Sequence, residues 1–189
     1  EHLAVAREGM LARFTSDELK AADYTAAARA WIDVCRTHFA DKIAGGFFFT
    51  SDDHEKLISR PKTVYDQAIP SGTSIAMQCL AALAEIQGVE DYAREAGEHL
   101  HRLTPLLDRG AFGMAELACA ALTWVQGAIT LQGSADTELF SHPHVFRKPV
   151  QASVNELLLC HANTCFPMRD AAQARAEILG RTGGLVNAE

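Results

Sequence analysis

Apolar residues recur along the chain in two alternating patterns. Over residues 24–40, Tyr24, Ala28, Trp31, Cys35 and Phe39 fall on one stripe, with Arg29, Asp33, Arg36 and Thr37 on the other faces. That is an amphipathic helix with one wet side. Residues 71–87 differ: from Ile75 to Ile86 only Gln78 and Glu85 are polar, so apolar side chains surround the axis. A helix of that kind is buried on all sides. Residues 91–107 return to one stripe (Tyr92, Ala96, Leu100, Leu103, Leu107), and 112–126 are again apolar all round, broken by Glu116 and Thr123.

This order predicts antiparallel helical hairpins in two layers, with 71–87 and 112–126 on the inside. An irregular helical domain with two central helices would give the same order. Past Gln126 the runs "GAITLQGS", "HVFRKPV" and "NELLLCHANTCF" are β-like, and "DAAQARAEILG" predicts a short closing helix. The expected organisation is helical hairpins over 1–126 with a long loop at 44–70, a small β-containing appendix over 127–170, and a short helix and tail over 171–189.

Composition narrows the partners. The chain has 189 residues, 48% of them hydrophobic, with a mean hydropathy of -0.02, which suits a soluble protein with a substantial core. A net charge of -7 disfavours nucleic acid or an anionic membrane as partner, since either requires a basic patch. No run of about 18 apolar residues is present, and the charged start "EHLAVAREGMLARF" is no signal peptide. Of five cysteines, Cys35, Cys79 and Cys119 fall in helical patterns, so free thiols in a cytoplasmic setting are expected. The chain opens inside a helical pattern, which predicts a piece of a longer protein.

The loop "GGFFFTSDDHEKLISRPKTVYDQAIPSGTS" is the unusual segment. Connections longer than about 12–15 residues are generally functional or disordered, and three consecutive Phe argue against disorder. Its ordered motifs, Gly-Gly-Phe, Arg-Pro-Lys, Tyr-Asp and Ile-Pro-Ser-Gly, together with the late Cys160…Cys165-Phe-Pro, resemble the C-terminal region of the family of thioredoxin-domain proteins that includes the spermatogenesis-associated thioredoxin-like protein. The chain departs from that family at Gln67 and Thr73, where Gly and Asn are usual.

The resemblance implies a mainly α fold, a partial (α/α) toroid of antiparallel hairpins similar to N-acylglucosamine epimerases and six-hairpin glycosidases, without the thioredoxin-like domain. It places the long loop at the toroid mouth. Glycosidic chemistry needs two carboxyl groups, and Asp53 and Asp66 are the candidates, with Arg60, Lys62, Tyr65 and Ser71 as substrate-binding residues. The same residues also admit structural roles: Asp52–Glu55 as a solvated tip, Arg60 paired with Asp66, and Ser71 as a helix N-cap.

His142, His144, Cys160, His161 and Cys165 have poor spacing for zinc. A close Cys160–Cys165 contact or inert thiols fit better, and no metal or cofactor is expected. Two functions follow. One is an enzyme-like toroid with a mouth for a small carbohydrate or polyol. The other is a catalytically silent scaffold or protein-interaction module serving the thioredoxin-like domain. Expected partners are the remainder of the full-length protein or a second copy.

Overall fold

The computed structural model describes residues 18–53, 58–133, 145–147, 157–161 and 164–181. The order is α1 (Glu18–His38), α2 (Gly72–Gln87), α3 (Glu90–Gly110), a 3-10 turn (Ala111–Met114), α4 (Ala115–Gln126), β1 (Ile129–Gln132), β2 (Val145–Arg147), β3 (Leu157–His161), β4 (Thr164–Met168) and α5 (Ala171–Arg181). The protein is thus mainly helical with a small sheet. No helix among the described residues is long and apolar enough to cross a membrane.

The helices share one core. α1 contributes Ala28, Ile32 and Cys35, with Phe39 just past its end, while Trp31 from the expected stripe is partly exposed. α3 contributes Tyr92, Ala96, Leu100 and Leu103, and α2 supplies Ala76, Met77, Leu80 and Leu83 between them. Ser71 caps α2, its Oγ accepting the Ser74 N–H at 3.1 Å, as the Pro-Ser-Gly pattern predicts. α4 departs from expectation. It buries Leu117 and Ala120 against the core, but Leu122 and Val125 are 41% and 73% exposed and Cys119 is exposed. An apolar circumference fixes burial only where neighbours stand on every side, and among the described residues α4 has them on one side.

The appendix is a four-stranded mixed sheet in the order β2-β1-β3-β4. β1 runs parallel to β2 and antiparallel to β3, and β3 and β4 form an antiparallel pair. The run "NELLLCHANTCF" therefore contributes to two strands, with Cys160 in the first and Cys165 in the second. Leu131 and Leu159 face each other across the ladder and are fully buried, with Ala174 and Ile178 of α5 packed on them. The closing helix thus completes a second, smaller core.

Candidate functional site

The connection from α1 to α2 is held by its own polar residues. Gly45 and Gly46 both take positive φ, at 80° and 78°, a region open to glycine at little cost. A Cβ on Gly45 would stand 2.9 Å from Arg102 Cβ, and one on Gly46 would stand 3.0 Å from Thr73. That close approach seats Phe47 in the core, its N–H donating to Thr73 Oγ1 at 3.1 Å and its ring 5.1 Å from that of His99. His99 Nδ1 accepts the Gly46 N–H at 2.9 Å, so its other ring nitrogen carries the proton.

The Arg-Pro-Lys motif continues the clamp. Arg60 donates to Thr50 O and to His38 O at the end of α1, and stacks 4.3 Å above the Phe48 ring. Such a cation at a helix C-terminus satisfies a carbonyl that the helix itself leaves open. Pro61 O accepts the Phe49 N–H at 2.8 Å. Lys62 Nζ donates to Asp41 Oδ2 at 2.7 Å and to Gly45 O at 2.6 Å. Burial alone would raise the Asp41 carboxyl, but the Lys62 ammonium and the N–H groups of Ala44 and Ile43 outweigh it and hold it below the usual range.

Asp66 joins two helix starts. Its Oδ1 accepts from Ser71 N at 2.9 Å and Ser74 Oγ at 3.2 Å, and its Oδ2 accepts from Glu116 N at 2.9 Å. A carboxylate there also meets the positive ends of α2 and α4. Tyr65 is 54% exposed beside Gly113. Ser71 Oγ is engaged with Ser74.

Asp53 stands apart from this set, hydrogen-bonded to Ser51 Oγ and close to His38 and Asp52. His38 Nδ1 lies 2.8 Å from Asp52 Oδ1. That hydrogen bond, opposed by slight burial, raises the His38 pKa above its ordinary value. One ligand atom each from His38, Asp52 and Asp53 falls within 4.8 Å of the others, so these three could hold a divalent cation at the surface. Their exposure and the His38–Asp52 pair account for the cluster equally well.

In the appendix, Cys160 and Cys165 are joined in a disulfide, directly opposite one another with Cα atoms 4.0 Å apart. The bond corrects the expectation of inert thiols and leaves neither sulfur as a zinc ligand. His161 Nε2 is 2.9 Å from Gln126 O. His142 and His144 lie outside the described residues.

A charged cleft missed by the sequence patterns opens between the end of α1 and α3. It encloses about 530 Å³, and polar side chains line it, among them Arg36, Lys42, Glu95 and Arg102. Arg36 Nε and Nη2 meet Glu95 Oε2 at 2.7 and 2.6 Å, and Arg36 Nη1 meets Asp33 Oδ1 at 3.0 Å. Tyr92 donates to the same Asp33 oxygen at 2.7 Å. Burial would raise the Glu95 carboxyl, but the His99 ring, 3.7 Å from Oε1, and the Arg36 guanidinium lower it. The signal available in sequence was the i,i+4 ladder of charges on α3: Arg94, Glu98 and Arg102 on one row, Glu95 and His99 on another. No family model matches the chain, and no curated protein matches it.

Proposed function

We propose that this chain is a catalytically silent scaffold of helical hairpins, built on the plan of the (α/α) toroid its loop motifs resemble, and that it acts by packing a helix face against a protein partner. The observation that carries this reading is the contrast between two surfaces. The loop residues with chemical potential, Arg60, Lys62, Asp66 and Ser71, spend their polar atoms on the chain's own backbone and helix caps. On α4, by contrast, Cys119, Leu122 and Val125 form an exposed uncharged stripe continuous with the α2–α4 contact.

An uncharged stripe of this kind is able to pair with its own copy in a two-fold arrangement, and a second copy of this chain is the occupant we propose. The cytoplasmic setting belongs to this proposal: it rests on the free thiols Cys35, Cys79 and Cys119 and requires the Cys160–Cys165 bond to be of the transient, reducible kind found in a reducing compartment. Two measurements test it. Light scattering at tens of micromolar should give a dimer that Leu122→Lys with Val125→Lys converts to a monomer. Titration with a panel of neutral sugars should give no saturable heat. A monodisperse wild-type monomer would overturn the pairing. Sugar binding abolished by a folded Asp66→Asn variant would restore the carbohydrate-processing mouth.

A further inference from the structure

We infer that the cleft between α1 and α3 binds a small anionic polyol, one carboxylate or phosphate group carried on a hydroxyl-bearing body. The cavity of about 530 Å³ falls in the size range of small-molecule sites. Every residue that lines it is polar or charged, which favours a polar ligand over a lipid. Four cationic side chains face three carboxylates across it, and the carboxylates are unevenly committed.

Asp33 and Glu95 are both taken up by Arg36 and by the donors Tyr92 and His99. Of the lining carboxylates Glu98 remains, shared by Arg94 at 3.3 Å and Arg102 at 3.5 Å, while Arg94 also reaches Asp91 outside the cleft at 2.8 Å. Lys42 is exposed and has no ion-pair partner among the described residues. Among the described residues Lys42 is therefore the cation of the lining with no carboxylate of its own, and Arg102, which shares Glu98 with Arg94, lines the same cleft.

The backbone fixes where these two side chains start. Gly45 packs against the Arg102 Cβ, and the turn carrying Lys42 is fixed by Asp41, which accepts from Ile43 N and Ala44 N at 3.0 and 2.9 Å. The anionic group sits between Lys42 and Arg102, where charge-assisted hydrogen bonds are strongest. The hydroxyl groups meet Glu98 as acceptor and Arg94 and Thr37 as further polar partners.

The test is calorimetric titration of the purified chain at low salt with glucose 6-phosphate, gluconate, inorganic phosphate and glucose. The wild type should bind at least one anionic polyol, more tightly than inorganic phosphate, and should not bind glucose. Lys42→Gln and Arg102→Gln should each weaken binding by about tenfold, the loss of one charge-assisted hydrogen bond, while Asp53→Asn leaves it unchanged. Lys42 is exposed and outside both cores, so its variant folds; circular dichroism checks this. Saturable binding of the phosphate ester alone, or of the carboxylate alone, supports the site and names its head group. Absence of binding by both anionic polyols would overturn it. So would equal binding of glucose or inorganic phosphate, or binding unmoved by Lys42→Gln. The oligomer test above reads a different surface, so either result stands without the other.

Discussion

Asp66 carries three hydrogen bonds on two oxygens, and two of the donors belong to the starts of different helices. Substituting Asn keeps the shape but replaces one acceptor oxygen by an NH₂ group. The amide oxygen can still serve Ser71 and Ser74, leaving an N–H facing the N–H of Glu116. One bond to a charged acceptor is lost, a helix-end charge interaction goes with it, and Asp66 is only half-buried. Asp66→Asn should therefore cost about 1–3 kcal/mol, read from urea unfolding; a stability unchanged within error would remove the clamp. The sequence marked Asp66 as chemically notable without showing its partners, since Glu116 lies 50 residues on. Gln78 and Glu116 were more legible. Each is a rare polar residue in an apolar helix, and each finds the other, Gln78 Nε2 donating to Glu116 Oε2 at 2.5 Å. The cleft residues were hidden because Arg36 and Glu95 meet only when helices 59 residues apart pack together.

At the level of elements, the helices were legible because the apolar period runs through them and, at α2, the Ser71 cap agrees with it, whereas the strands were less so because short apolar runs carry no register. The contact between α3 and α4 turns on one small residue. The indole of Trp124 lies over Gly97, where an added Cβ would stand 2.5 Å from Cζ2, and its Nε1 donates to Ala93 O at 3.1 Å. Two effects compete in Gly97→Ala. Helix propensity favours Ala by about 1 kcal/mol, while a clash at that distance must displace the indole and break its hydrogen bond. Trp124 is 44% exposed, so it has room to swing outward, and overpacking there should cost about 1–3 kcal/mol. Steric displacement wins by a modest margin. The variant should be less stable than the wild type, with a red-shifted tryptophan emission component from a wetter indole. A more stable variant with unchanged emission would show that the α3–α4 contact does not depend on this fit.

For the whole molecule, the separation into two cores has a consequence for cooperativity. The helical core draws on α1 to α4, whereas the second core rests on Ile129, Leu131, Leu159, Ala174 and Ile178. A core that small supports little stability by itself, so the Cys160–Cys165 bond matters more here than its short span suggests. Closing a segment with a sequence separation of 5 stabilises by about 2 kcal/mol on the chain-entropy account. Cys165 is exposed on β4, which leaves the bond open to reductant. Reduction should accordingly loosen the sheet and spare the helices, because among the described residues the two cores are tied by little more than His161 at Gln126 O and the approach of α2 to β2. Hydrogen exchange with and without dithiothreitol reads this directly: amides of β3 and β4 should lose protection by about thirtyfold, the equivalent of about 2 kcal/mol. Amides of α2 and α3 should exchange at unchanged rates. Loss of protection by the same factor in α2 would mean that sheet and helices unfold as one unit, with the appendix acting as a brace for the helical body.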